Sequence, residues 1–150
     1  MAHEKLFQVG VKALITNREG KVLVMEVDTT GFTSPEQKHW DLAGGRIQEG
    51  QTVEEALRRE VEEETGITQV DNITFFTSVI SRIEIPLGNN QKAGLVLMVY
   101  RVRVPEGVEV KLSDEHEAYE WVELTEAAKR LEFKFSKDFS DALLRGGAAV

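Results

Sequence analysis

The sequence predicts one α/β or α+β domain, a layered sandwich in which a mixed β-sheet lies between helices. Alternating apolar segments indicate strands, one helix carries start and stop signals, and further helical segments follow near the C-terminus. The predicted order is three strands, a helix, three more strands and a helical region. A length of 150 residues fits a single domain spanning 1–150, with a frayed tail over about 145–150.

Three strands are predicted in the N-terminal third. Every second residue from Phe7 to Ile15 is apolar, which is typical of a strand. The turn-like segment Asn17–Gly20 leads into the apolar run Lys21–Val27, so these two strands are expected to form a hairpin. After a polar loop, Trp40–Ala43 predicts a short third strand.

The first helix is predicted over Val53–Thr65. Thr52 is a favourable N-cap, and Glu55 three residues later completes a capping box. Gly66 occupies the position at which helices commonly end in a left-handed residue.

Two long strands, Ile73–Ile85 and Ala93–Val104, are predicted after this helix, joined by a hairpin loop. Tyr119–Leu124 predicts a further strand. Two helical segments follow, with Thr125 and Ser136 as their expected N-caps.

The composition excludes several classes of function. The formal net charge of −8 disfavours binding to a nucleic-acid polymer. The absence of cysteine removes thiolate nucleophiles and thiolate metal sites. The N-terminal segment lacks the apolar core of a signal peptide, and the longest apolar run, Gly94–Tyr100, is too short to span a membrane. A cytoplasmic protein is expected.

The first helix carries an unusual crowd of carboxylates. On a helical projection, Glu60, Glu63 and Glu64 share one face with the apolar residues of the N-terminal half of the helix. Three anions on an inward face require compensation, and a hard divalent cation such as Mg²⁺ supplies it. The alternative is a solvated acidic helix whose glutamates pair with Arg58 and Arg59.

Three glycines, Gly44, Gly45 and Gly50, precede this helix in what is expected to be a loop. Glycine allows the backbone to approach a ligand closely, and a helix N-terminus favours an anion. A combined metal and phosphate site is therefore expected here.

The segment Gly45–Ile67 resembles the box of the Nudix hydrolase family, G-x5-E-x7-R-E-U-x-E-E-x-G-U, in which U is aliphatic. Arg59 and Glu60 stand at the R-E pair, and Glu63 and Glu64 stand at the E-E pair. The strand order and the later segment DEHEAYEWVEL also fit the family, so the resemblance covers most of the chain.

The resemblance implies a Nudix-like α/β/α sandwich that hydrolyses a nucleoside diphosphate linked to another moiety. It implies that Mg²⁺, which Mn²⁺ can replace, is bound by Glu60, Glu63 and Glu64 together with the carbonyl group of Gly44. Candidate substrates are nucleoside triphosphates, including damaged ones, diadenosine polyphosphates, ADP-ribose and nucleotide sugars. Homodimers are common in the family, so a homodimer is also expected.

The resemblance also suggests further site residues. A metal-activated water attacks phosphorus, and its proton passes to a box glutamate or to a later glutamate, for which Glu115 is the first choice and Glu117 the second. Arg46 and the backbone of Gly45 are candidates to bind phosphate, and a surface charge is the alternative for Arg46. Trp40 is a candidate to stack on the substrate, and packing in the core or in a pocket wall is its alternative. Further stacking candidates are Phe32 and Tyr119.

Two positions depart from the family pattern. Gln51 replaces the first box glutamate, which in the family helps to hold the arginine at position 59 and so orients the catalytic helix. Weaker support of Arg59 is expected, with catalysis retained. Ala43 stands where many members have proline, and this change is expected to matter less.

Two other functions compete with an active hydrolase. A non-catalytic nucleotide-sensing module could use the same fold, and only Gln51 favours it. An isoprenoid diphosphate isomerase of the same fold uses a cysteine, which this chain lacks.

Overall fold

The computed structural model of the protein describes residues 3–27 and 39–146. In this part of the chain, eight strands and two long helices follow one another. The elements are β1 (Phe7–Thr16), β2 (Val22–Val27), β3 (Trp40–Asp41), β4 (Ala43–Arg46), α1 (Val53–Thr65), β5 (Asp71–Ile80), β6 (Ile85–Gly88), β7 (Gln91–Arg103), β8 (His116–Val122) and α2 (Leu124–Gly146).

The strands form a mixed sheet with the order β3-β2-β1-β7-β5. β1 and β7 run parallel, with pairs from Phe7↔Gly94 to Thr16↔Arg103, whereas the other pairings are antiparallel. β4 pairs with β1, β8 pairs with β2, and β6 pairs with β7. Strand β1 therefore lies near the centre of the sheet, and both of its faces are buried.

Each face of the sheet packs against one helix. On one face, Leu131, Phe135 and Phe139 of α2 pack with sheet residues that include Leu14. On the other face, Ala56, Leu57 and Val61 of α1 pack with sheet residues that include Val11, Ala13 and Ile15. The predicted α/β/α sandwich is confirmed.

Helix α1 has the bounds that its capping signals predict. The hydroxyl oxygen of Thr52 accepts the N–H of Glu55, and the Glu55 carboxylate accepts the N–H of Thr52. Gly66 closes the helix with φ of 75°. Because these signals are local in sequence, they determine the ends of the helix without help from the rest of the fold.

Other boundaries differ from the prediction. The prediction of one continuous strand over Ile73–Ile85 is wrong, because β5 stops at Ile80 and β6 starts at Ile85. The N–H of Arg82 and the hydroxyl group of Ser81 donate to the carbonyl oxygen of Lys134 in α2, and these contacts take the chain out of the sheet.

The C-terminal region forms one helical unit with a break. Helix α2 contains a non-helical residue, Ser136 with φ of 75°, at the boundary predicted between two helices. It continues to Gly146, which is inside the segment predicted to be frayed. In the described ranges, no helix is long and apolar enough to cross a membrane. The polar loop predicted before Trp40 lies largely outside the described residues.

A buried ionic network joins three elements of the fold. One carboxylate oxygen of Asp41 in β3 accepts from the ammonium group of Lys12 in β1 at 3.0 Å and from that of Lys134 in α2 at 2.6 Å. The other carboxylate oxygen accepts the N–H of Leu42 at 2.7 Å. We call Lys12, Asp41 and Lys134 the Asp41 network. It connects the centre of the sheet to its edge and to one covering helix.

This network predicts an acid-sensitive contribution to stability. Burial alone would raise the pKa of Asp41, but Lys12 and Lys134 hold it well below its ordinary value of 3.8. Because the folded-state pKa is lower than the unfolded-state pKa, the contribution is present above about pH 4 and is lost as the pH falls through the folded-state value.

Replacing Asp41→Asn should lower the free energy of unfolding by about 3–5 kcal/mol at neutral pH, because two buried cations lose their counter-charge. Chemical denaturation measures the difference, which should shrink as the pH falls below about 4. The control is Glu106→Gln at the exposed Arg18–Glu106 pair, for which a change below about 1 kcal/mol is expected. Equal effects of the two substitutions would contradict the role assigned to the network.

Candidate active site

The first two glycines of the segment that precedes α1 belong to strand β4 rather than to a loop, which corrects the sequence-based expectation. Gly44 and Gly45 pair with Lys12 and Val11 of β1. A Cβ atom on Gly44, whose φ is +151°, would lie 2.0 Å from the carbonyl oxygen of Val11. A Cβ atom on Gly45 would lie 2.6 Å from the carboxyl group of Glu60. The glycines therefore allow α1 and β1 to approach β4 from two sides.

Two box carboxylates of α1 face this strand. Glu64 is buried, and its Oε1 accepts the N–H of Gly44 at 2.7 Å. Glu60 is half-buried and lies against Gly45. The carboxylates of Glu60 and Glu64 thus both lie against the backbone of β4.

The expected inward orientation of Glu63 is wrong, because its side chain is 57% exposed. Adjacent residues of a helix are separated by about 100° around its axis. The buried stripe of α1 contains Leu57, Val61 and Glu64, so Glu63 lies on the rim of the helix. It contacts Arg59, with 3.7 Å between the guanidinium nitrogen and the carboxylate oxygen.

Arg59 also contacts Glu60, the carboxylate that lies against Gly45. Its guanidinium group donates to Oε1 of Glu60 at 2.8 Å, and its Nε is buried with no hydrogen-bond partner among the described residues. The expected contact between Gln51 and Arg59 is not formed. Instead, the side-chain oxygen of Gln51 accepts the N–H of Gln48 at 3.0 Å, which closes the turn before α1.

Burial changes the acid–base properties of these groups. It raises the pKa of Glu64 to about 7 against the opposing effect of Lys12. Burial also raises the pKa of Glu60, although Arg59 opposes the shift. The pKa of His116 is lowered, mainly by burial, which favours the neutral imidazole. Its Nε2 lies 4.0 Å from Oε2 of Glu64.

Two cavities adjoin β4. The first, of about 560 Å³, is lined at its polar end by Lys12, Asp41 and Lys134, and we call it the lysine cavity. The second, of about 600 Å³, contains Glu60, and we call it the Glu60 cavity. Both cavities are lined by Gly44, Gly45, Arg46 and Glu115. These four residues are shared by one cavity that contains Glu60 and another that contains Glu64, the Asp41 network and apolar side chains.

The structure brings some of the predicted substrate-binding residues to these cavities. Arg46 and Glu115 are exposed at the shared wall. Trp40 lines neither cavity, because its ring packs against α2 and under the guanidinium group of Arg130 at 4.6 Å. Tyr119 and Glu117 also line neither of them. Phe32 lies outside the described residues.

Several polar residues of this region were not predicted as site residues. Lys12, Asp41, Lys134 and His116 all line the lysine cavity. A charged residue inside an apolar strand, such as Lys12 in VGVKALI, was the available signal. Pattern alone could not pair it with Lys134, since the two residues meet only after α2 packs on the sheet.

The donor atoms of this site fit a hard divalent cation. The carbonyl group of Gly44 and the carboxylates of Glu60 and Glu64 are oxygen donors of the type that Mg²⁺ prefers. Within residues 3–27 and 39–146, no three acidic or histidine side chains converge closely enough to form a complete cation site by themselves. Mg²⁺ commonly uses one or two carboxylates and completes its shell with water and substrate phosphates. The arrangement is compatible with that mode of binding.

Comparison with known families gives one domain match. The model of the NUDIX domain matches residues 6–143, which include all of the strands described above, α1 and α2 as far as position 143. The matched region therefore covers most of the chain.

Known proteins with similar sequences carry related names. A MutT-like protein of Streptomyces ambofaciens is 29% identical over 146 residues, which cover 97% of this chain and 82% of that protein. The nucleoside triphosphatase NudI of Escherichia coli is 31% identical over 87 residues, which cover 55% of this chain and 60% of NudI. The second alignment thus spans less than two thirds of the relative.

A solved structure agrees with the fold. The MutT protein of Methanosarcina mazei Go1 superposes with a TM-score of 0.70 and 29% sequence identity. The superposition covers 97% of this chain and 98% of that protein.

Gly45→Ala should weaken metal binding, because the added methyl group would displace the carboxylate of Glu60. We expect the dissociation constant for Mn²⁺, measured by calorimetry, to rise about tenfold, as for other changes that disturb the orientation of a ligand. In the control Gly50→Ala, the new methyl group meets no atom within 4 Å but strains a φ of +86°. That variant should be less stable and should keep its Mn²⁺ affinity.

Gln51→Glu should leave metal binding intact. The new carboxylate keeps an oxygen for the N–H of Gln48, so the Mn²⁺ affinity should stay within about twofold of the wild-type value, as for a surface substitution. The same calorimetric titration measures it. A marked loss of affinity would show that position 51 acts on the metal ligands directly.

Proposed function

The chain belongs to the NUDIX family of pyrophosphohydrolases, and we propose that it hydrolyses the diphosphate linkage of a nucleotide with the help of Mg²⁺. The substrate class is a nucleoside diphosphate linked to another moiety. The observation that carries this proposal is the position of Glu60 and Glu64 against Gly44 and Gly45, at the junction of two cavities.

The metal would be held by the Gly44 carbonyl group and by the carboxylates of Glu60 and Glu64, and Glu63 lies on the adjacent rim of α1. When bound, Mg²⁺ neutralises phosphate oxygens and lowers the pKa of a coordinated water. Mn²⁺ has similar ligand preferences and is expected to substitute. Arg59 supports this arrangement by holding Glu60 through a 2.8 Å contact.

Glu115 is the first candidate for the general base. It is exposed where the two cavities meet, so its carboxylate can accept a proton from a water close to a bound diphosphate. The box glutamates remain alternatives. Glu117 is less well placed, since it lines neither cavity.

Arg46 is the candidate for binding the phosphate chain. It follows the two glycines, lines both cavities and donates to the side chain of Gln8 at 2.6 Å. A guanidinium group at this wall can pair with phosphate oxygens on either side.

A panel of candidate substrates, tested for hydrolysis, begins with nucleoside triphosphates, including damaged ones. This choice is supported by the similarity to NudI and to MutT-like proteins. Diadenosine polyphosphates, ADP-ribose and nucleotide sugars complete the panel. A cytoplasmic location and a homodimer are also proposed, and cell fractionation and sedimentation test them.

Glu64→Gln and Glu60→Gln should each lower kcat about a hundredfold or more, because each removes a charged oxygen ligand while the volume stays constant. Release of pyrophosphate or phosphate from the panel, in the presence of Mg²⁺, is the measurement. Glu62→Gln, on the exposed face of the same helix, is the matched control and should retain wild-type kcat.

Glu63→Gln asks whether the exposed glutamate joins the site during turnover. A large loss of kcat would show that the carboxylate of Glu63 takes part in metal binding or catalysis. Unchanged turnover in both Glu63→Gln and Glu64→Gln would refute the assignment of this site. Nucleotide binding without hydrolysis across the whole panel, with Mg²⁺ or Mn²⁺, would favour the alternative of a nucleotide-sensing module.

A further inference from the structure

The lysine cavity has a composition that differs from that of the Glu60 cavity. Its walls include the apolar side chains Ile83, Ile85, Leu95 and Leu97, and its polar end is formed by the Asp41 network. Apolar walls with a few placed polar groups are typical of a pocket for a small organic moiety. The cavity adjoins the proposed phosphate site, so a nucleotide bound there can reach into it.

Within the Asp41 network two cations face one anion, while the carboxylates of Glu64, Asp114 and Glu115 also line the cavity. Asp41 is one anion between two ammonium groups, and both of these bind the same carboxylate oxygen. Lys12 has further acceptors, since its Nζ lies 3.2 Å from the carbonyl oxygen of Leu42 and 3.4 Å from that of Gly44. In the described part of the chain, Lys134 is therefore the ammonium group of the network with fewer acceptors.

Lys134 has unused hydrogen-bonding capacity. An ammonium group has three N–H donors, and within the described ranges the only acceptor bonded to this one is Asp41. Its side chain is only 14% exposed, and it lines the cavity. A buried donor without a partner is unfavourable, so a ligand acceptor at this point would be stabilising.

The carboxylate of Asp41 offers little to a ligand donor. The Oδ2 atom of Asp41 already accepts from two ammonium groups, and its Oδ1 atom accepts the N–H of Leu42. An amino group on a ligand would meet the N–H groups of Lys134 instead of an acceptor. The contact with Lys134 thus distinguishes a carbonyl edge from an amino edge.

We propose that Lys134 is a specificity-determining residue that donates a hydrogen bond to a carbonyl oxygen on the nucleobase of the substrate. The apolar walls favour a planar heterocycle over a phosphate group, which would require more polar partners. The enzyme should therefore prefer bases with a carbonyl group at the inner edge, such as hypoxanthine and uracil, to their amino counterparts, adenine and cytosine. This inference rests on the proposed hydrolysis of nucleotides.

The test compares substrates that differ in this edge while sugar and phosphates stay constant. The pairs are ITP with ATP, and UTP with CTP. We expect wild-type kcat/KM to be about tenfold or more higher for the carbonyl member, because the donor is charged. A ratio near one in the wild-type enzyme would overturn the proposal, and this result requires no variant.

The variant Lys134→Met keeps the length of the side chain and removes its donors. It should bring the ITP/ATP ratio close to one, mainly through a higher KM for ITP, with little change for ATP. Lys137→Met, at an exposed position of the same helix, should keep the wild-type ratio. An equal loss for ITP and ATP would show that Lys134 serves the fold or the phosphate chain, and would also overturn the proposal.

Lys134→Arg is the second variant if Lys134→Met does not fold. It retains charge and donors, so it should keep a preference for the carbonyl member.

Binding of IMP and AMP, measured by calorimetry, separates this inference from the proposed function. If no nucleotide is hydrolysed, the proposed function fails. Stronger binding of IMP than of AMP, lost in Lys134→Met, would still support the assignment of Lys134. Equal binding of the two monophosphates would overturn it.

Discussion

The rest of the structure depends on the ion pairs that the carboxylate of Asp41 forms with two lysines. This carboxylate holds Lys12 from the centre of the sheet and Lys134 from α2, and its own strand continues into β4. The backbone carbonyl oxygen of Lys134 in turn accepts hydrogen bonds from the segment that separates β5 from β6. A single buried anion therefore links the sheet, one covering helix and two walls of the lysine cavity. Buried charges tolerate few arrangements, because each must keep its partner.

The short strand β4 connects this network to the proposed chemistry. Its first glycine faces β1 so closely that any side chain would overlap backbone, and its second glycine leaves space for the carboxyl group of Glu60. The N–H of Gly44 binds Glu64, while its carbonyl oxygen lies near Lys12. The same peptide segment thus contacts α1 on one side and the lysine cavity on the other. A nucleotide across β4 could place its phosphates and its base in two different electrostatic environments.

Local signals predicted those parts of the fold that depend on neighbours in sequence. The capping box and Gly66 determine the ends of α1, alternation of apolar residues identifies β1, and apolar segments identify β2 and β7. The break between β5 and β6 was missed, because Ser81 and Arg82 leave the sheet to bind the carbonyl oxygen of Lys134, which is distant in sequence. The orientation of Glu63 was also missed. Helical periodicity identifies a face, but the packing of α1 on the sheet decides where that face is centred.

The sequence by itself determined the family, the mixed α/β architecture and the carboxylate-rich helix, since these follow from a long spaced motif and from local periodicity. Only the tertiary structure decided that Glu64 is buried against Gly44, that Gln51 binds Gln48 rather than Arg59, and that Trp40 packs under Arg130. It also decided that Lys12, Asp41 and Lys134 meet. The physical reason is distance along the chain: Lys134 and Asp41 are separated by 93 positions, so their pairing depends on how α2 packs across the sheet.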